Sequence, residues 1–188
     1  MATNCGITTG ISVSCEDLRR PGGLAKRLWL FNIDDLRARI PVELAAYVTA
    51  LEFLTYRGLY EVESAKFSFE AFAIPQKNAE GGNVGILHRL IIRALLNDPT
   101  DMLWFETLMT ADVGAIVETN KGDFMIYGGG VGLSMPSGDG GSYGSGRLPA
   151  DNTAASVTLE APETYMPKFF LRGGSRDTSL AYLNALTN

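Results

Sequence analysis

From residue 26 onward, apolar and polar positions alternate in short runs, mostly with a period of two. Lys26 to Ile33 (KRLWLFNI) is rich in large apolar residues and closes on Asn32-Ile33-Asp34-Asp35, which predicts a strand and a turn. Residues 34–46 fit neither period, and Pro41 argues against one helix running through them. Tyr47, Thr49, Leu51, Phe53 and Thr55 alternate with Val48, Ala50, Glu52 and Leu54, up to a turn or bulge at Arg57-Gly58. Tyr60 to Ala73 (YEVESAKFSFEAFA) then predicts one long strand. Its phase changes near Ser64-Ala65, where one bulge is expected. Such a strand would carry Glu61, Glu63 and Glu70 on a wet face.

Pro75 to Asn83 predicts a loop. Val84 to Leu96 suits either period. A helix would group Leu87, Leu90, Ile91, Ala94 and Leu95; a strand would group His88, Leu90, Ile92 and Ala94. Gly81-Gly82 and the strand before it favour a hairpin, so strand is the expectation. Asp98-Pro99-Thr100-Asp101 is a helix start, with Asp98 as N-cap, Pro99 in the first turn and Asp101 favoured by the helix dipole. That helix should run to about Met109 and pack on a sheet through Met102, Leu103, Phe105, Leu108 and Met109. Val113–Thr119, Asn120–Asp123 and Phe124–Tyr127 form a hairpin pattern. Residues 128–153 are rich in glycine, serine and proline and read as a long loop. Ala155–Ala161 and Lys168–Leu171 read as two further strands. In the tail, Leu180, Tyr182, Leu183 and Leu186 allow a short amphipathic turn that docks on something.

The expected class is therefore mainly β (α+β): an antiparallel β-sandwich or barrel with one packed helix. Its domain spans residues 26–171, between an N-terminal arm at 1–25 and a C-terminal tail at 172–188. No internal repeat of fixed period is visible, which argues against a solenoid. Residues 1–23 and 134–153 are rich in glycine and serine with few core residues, so they are expected to be poorly ordered in a free monomer and ordered in an assembly.

Composition narrows the function. Of 188 residues, 46% are hydrophobic and 20% charged, enough for a sizeable core. The net charge of −5 argues against DNA binding by counterion release, yet it suits a wall past which DNA slides. Residues 1–10 lack a basic region followed by an apolar stretch, so no signal peptide is expected, and the protein should be made in a cytoplasm. Cys5 and Cys15 are expected as free thiols, with a local disulfide as the alternative. No metal or other cofactor is expected.

Candidate chemistry is sparse. Gly140-Gly141-Ser142-Tyr143-Gly144 satisfies G-x-S-x-G, but a nucleophile elbow needs a strand before it and a helix after it. The only histidine, His88, precedes the serine, the reverse of that fold's order, and reads as a satisfied, partly buried side chain. Gly128-Gly129-Gly130-Val131-Gly132 has neither dinucleotide spacing nor the Lys-Ser/Thr of a phosphate loop. Arg19-Arg20 with Lys26-Arg27 is a small basic cluster without interleaved aromatics. No catalytic residue is assigned.

The order of segments resembles the major tail (tail tube) proteins of tailed bacteriophages. The likeness is carried by Cys5-Gly6-Ile7-Thr8, Lys26-Arg27-Leu28-Trp29, Gly58-Leu59-Tyr60, the helix at 99–109, Ala111 to Gly122, and Tyr127-Gly128 before a long loop. The 134–147 loop and the 172–188 tail match least. The resemblance implies a structural virion protein whose copies form rings, six to a ring, stacked around a DNA conduit. Its partners would be itself, other tail proteins and DNA that passes without specific binding; no membrane is involved. Candidate assembly contacts are Cys5, Arg19, Arg20, Tyr143, Tyr182 and Leu183, and candidate lumen residues are Glu61, Glu63 and Glu70. The alternatives are a capsid-associated or neck protein and, less favoured, a carbohydrate-binding sandwich.

Overall fold

A computed structural model describes residues 24–38, 40, 47–54, 58–63, 69–77, 84–95, 99–137, 140–144 and 154–187. The strands are β1 (Leu24–Asn32), β2 (Tyr47–Val48), β3 (Tyr60–Glu63), β4 (Phe69–Lys77), β5 (Val84–Leu95), β6 (Val113–Thr119), β7 (Phe124–Tyr127), β8 (Gly141–Gly144), β9 (Ala154–Glu163) and β10 (Lys168–Phe170). The helices are α1 (Pro99–Thr110) and α2 (Arg176–Leu186), with one 3-10 turn at Ile33–Asp35. The strands form two sheets: six strands in the order β2-β10-β7-β6-β1-β3, and four in the order β4-β5-β9-β8. The fold is mainly β, as the alternation predicts. One pair, β10 with β2, is parallel, so the six-stranded sheet is mixed rather than antiparallel throughout.

The two sheets face each other across a first core. Leu28, Leu30, Val113, Ala115, Val117 and Tyr127 come from the six-stranded sheet; Phe69, Leu90, Ile92, Val157, Leu159 and Ala161 come from the four-stranded one. α1 joins this core through Phe105 and Leu108. Met102, Leu103 and Met109, also expected to pack, are exposed. Pro99 opens α1 as its missing N–H permits, while Asp98 lies outside the described residues.

The other face of the six-stranded sheet is buried too. Trp29, Phe31, Ile116, Phe124, Ile126 and Phe170 meet Ile33, Leu36, Ile40, Leu51, Phe53, Leu59 and Leu183 in a second core, completed by Leu180, Tyr182 and Leu186 of α2. That explains the run Val113–Glu118, which is buried at every position instead of alternating.

The tail thus supplies a helix, not a loose turn. Ser175 caps it, its side chain accepting the Thr178 N–H at 3.3 Å. Arg176 anchors it to Glu118 on β6, whose side chain is almost fully buried. Arg27 reaches the same carboxylate at 3.4 Å. Glu118→Gln removes the charge from both pairs. The arginines are part-exposed and can rehydrate, so the expected loss is only about 1–2 kcal/mol in a denaturant titration, and it should shrink with added salt.

Two expectations are corrected here. Tyr60–Ala73 is not one bulged strand: β3 lies in the six-stranded sheet and β4 in the four-stranded one, with residues 64–68 outside the described set. Residues 128–153 are not one loop. Leu133 bridges Val113, Ser134 bridges Glu160, and β8 pairs with β9. The described part of 134–153 is therefore tied into the fold by backbone pairing.

Candidate assembly surface

The four-stranded sheet differs from the six-stranded one in what covers it. Its outward positions on β4 are Glu70, Phe72, Ile74 and Gln76; on β5 they are Leu87, Arg89, Ile91 and Arg93; on β9 they are Ser156, Thr158, Glu160 and Pro162. Every one is exposed or half-buried, with Phe72 at 43% and Ile74 at 38%. Among the described residues nothing packs on this face.

Its charges are matched within the face. Arg89 Nε meets Glu160 Oε1 at 2.5 Å, and Arg93 pairs with Glu70 between neighbouring strands. The surface is therefore close to neutral, with its apolar side chains concentrated at the β4 side.

Both margins of this sheet are unpaired among the described residues: β4, nine residues long, and β8, four residues long. β4 contains Pro75, a residue that sheets tolerate on an edge where the missing N–H would have faced outward. Backbone groups on a strand point to alternate sides. On that phase the free groups of β4 belong to Phe69, Ala71 and Ala73.

The residues singled out from sequence are scattered. Glu61 and Glu63 lie on β3, on the face of the six-stranded sheet turned away from its partner sheet, since Glu61 stands opposite Trp29. Glu70 lies on the outward face of the four-stranded sheet. The three glutamates thus sit on opposite sides of the sandwich and cannot line one wall. Glu61 is 3.7 Å from Arg27, and Glu70 is paired with Arg93, so these carboxylates are partly neutralised as well.

Tyr182 and Leu183 are committed within the chain. The Tyr182 hydroxyl donates to the Leu51 carbonyl at 2.8 Å and accepts the Leu51 N–H at 3.3 Å; the ring stacks on Phe170, with the Arg172 guanidinium 4.2 Å from its centroid. Leu183 is fully buried. A tail that docks was legible from spacing, but it docks on its own body. Cys5, Arg19 and Arg20 lie outside the described residues. Tyr143 is placed by its backbone alone, opposite Ala155 at the free β8 margin.

The G-x-S-x-G serine gains nothing from the fold. Ser142 lies within β8 opposite Ser156, in a strand and not on a strand-to-helix turn. His88 is fully buried with both ring nitrogens engaged, so it is no base for Ser142. His88 was expected to be partly buried and satisfied; it is satisfied, and its burial is complete. Sequence reasoning missed Glu118 and Glu163, two buried carboxylates at positions that point to the core. A charge where alternation points to the core was the available signal. Among the described residues no group of acidic, histidine or cysteine side chains could hold a metal ion, and no helix is long and apolar enough to cross a membrane.

Comparison with known proteins adds no relative: no protein family, no curated protein and no solved structure matches this chain.

Proposed function

We propose that this chain is a structural subunit that assembles with copies of itself into stacked rings, six copies to a ring, forming the tail tube of a bacteriophage. The observation that carries the reading is the four-stranded sheet with one open face and two open margins.

Strand direction makes the two margins compatible. All pairs within this sheet are antiparallel, so β8 runs opposite to β4. A copy rotated about an axis roughly along the strands keeps its strand directions. Its β8 would then meet β4 of the first copy as an antiparallel neighbour, the same relation found inside the sheet. Contacts between two different surfaces of one chain are heterologous, and they close into a ring when the rotation between copies divides the full circle. Joining also pairs edges that would otherwise invite uncontrolled aggregation.

The dimensions suit a conduit. Six copies of four strands at about 4.8 Å spacing give a circumference of roughly 115 Å and a backbone diameter of about 37 Å before tilt widens it. Inward side chains reaching about 5 Å from each wall leave a channel of about 27 Å, wide enough for duplex DNA. The lining would be the face on which Arg89 and Arg93 are each matched by a glutamate. Few unpaired cations means few phosphate traps along the path. The partners are other copies, other tail proteins and passing DNA held by no specific contact.

Negative-stain microscopy of the purified chain tests this. Open-ended tubes with a central channel are expected. Rings that never stack would favour a neck or capsid position, and single particles at high concentration would overturn the self-assembly reading.

A further inference from the structure

The chain crosses from the six-stranded sheet to the four-stranded one through Gly128–Gly132. These residues follow β7, and the crossing ends where Leu133 bridges β6 and Ser134 bridges β9. Gly128 and Gly132 adopt positive φ, 64° and 100°, which only glycine takes cheaply. Two buried side chains of the four-stranded sheet hold the backbone between them. Gly128 N–H donates to His88 Nδ1 at 3.2 Å. Gly130 and Val131 N–H donate to Glu163 Oε1 at 2.9 and 3.0 Å.

His88 is fully buried, and Glu163 is 4% exposed. The remaining nitrogen of His88, Nε2, lies 2.9 Å from the Tyr165 carbonyl, which can only accept. Nε2 therefore carries the proton, and Nδ1 offers its lone pair to Gly128. The ring is fixed as the neutral Nε2–H tautomer, edge-on to Tyr127 and Tyr165 at 5.4 and 5.8 Å.

We propose that His88 is an acid-sensitive latch on the Gly128–Gly132 crossing: the neutral imidazole holds the crossing closed, and protonation releases it. A proton on Nδ1 would set two donors against each other at Gly128 and place a charge in the core. The groups facing His88 do not compensate. β7 contributes the Tyr127 phenol, and β4 contributes only Ala73 opposite in register. From β9 and the residues after it come Glu163 and Tyr165, with the Lys168 ammonium 5.4 Å from the Tyr165 ring centroid. Glu163 favours the imidazolium, but its Oε1 is already committed to Gly130 and Val131.

Burial outweighs these and holds the His88 pKa below the ordinary histidine value. The sign follows. Above about pH 6.5 the imidazole is neutral whether the crossing is open or closed, and acid has no effect. Below that, the open state takes up a proton that the closed state refuses, so opening gains up to about tenfold per pH unit. This continues until the closed state titrates too. Val131, 58% exposed on the crossing, is the surface that would shift.

Amide exchange of the full chain by mass spectrometry, from pH 7.5 to 5 and corrected for intrinsic rates, tests the latch. His88 is the chain's only histidine, so exchange of its C2 proton in the same samples reports its titration alone. Protection of residues 128–131 should begin to fall as the pH drops through about 6.5 and level off where His88 titrates in the closed state, while β6 stays protected. His88→Asn, which keeps an acceptor near Gly128 but does not titrate, should lose the pH dependence. Should that variant fail to fold, the unaltered chain decides: its protection should start to fall near about pH 6.5 and level off at the His88 titration. Protection at 128–131 that ignores pH while His88 titrates would overturn the proposal. So would a pH dependence that survives in a folded His88→Asn chain.

Discussion

Gly114→Val is expected to cost about 3 kcal/mol or more, enough to leave the chain largely unfolded at moderate urea. Gly114 stands opposite Phe31 in the β1–β6 register, and any Cβ built on it would clash with Cζ and both Cε atoms of the Phe31 ring. The ring has nowhere to go. Phe31 is fully buried in the second core and lies edge-on to Phe53, 5.9 Å between centroids. Relief needs either a shift of β1 against β6, at the centre of the six-stranded sheet, or a displaced aromatic cluster. Gly114→Ala should show the same defect at smaller size. Gly85→Ala is the control, because a Cβ there meets no atom within 4 Å, and it should stay within about 0.5 kcal/mol of the starting chain. Denaturant midpoints for the three variants would check the ranking; a Gly114→Val chain as stable as Gly85→Ala would show that the central sheet yields far more than its packing implies.

On the proposed joining of copies through β4 and β8, Ala71→Pro should abolish tubes while leaving a folded monomer. Ala71 shares the phase of Pro75 on β4, so its N–H faces the free margin and not β5. Proline there removes a donor that only a neighbouring copy would use, and its ring stands in the way of an approaching β8. The chain's own stability should drop modestly, because the β4–β5 pairing keeps its hydrogen bonds. Sedimentation and microscopy would report assembly, and a thermal melt would report the fold. Tubes of normal length from a folded Ala71→Pro chain would rule out joining through the β4 margin, even if the tail-tube role stands.

The sequence was most legible where pattern and chemistry coincide locally. Asp98-Pro99 announced α1, Asn120–Asp123 the β6–β7 hairpin, and Gly81-Gly82 tipped Val84–Leu95 towards a strand. It misled where a local pattern runs across a global break. Tyr60–Val62 and Phe69–Ala73 keep alternating although they belong to different sheets, because a period of two records which residues are buried and not which layer buries them. That is why Glu61, Glu63 and Glu70 looked like one row. The tail shows the same limit. Leu180, Leu183 and Leu186 fix an apolar helix face, but their spacing is identical whether that face meets its own sheet or another molecule's.

The doubly buried six-stranded sheet has a consequence for the order in which a nascent chain acquires its structure. β2, made early at Tyr47–Val48, pairs among the described residues with β10 at Lys168–Phe170, and the second core that buries Trp29 and Phe31 is completed by α2. At roughly 5–20 residues per second, Trp29 and Phe31 wait on the order of ten seconds for Leu183 to be synthesised. Among the described residues the first core ends within β9, at Ala161. Until α2 is made, the growing chain carries the aromatic face of β1 without its last cover, a hazard for any subunit that must not associate through the wrong side.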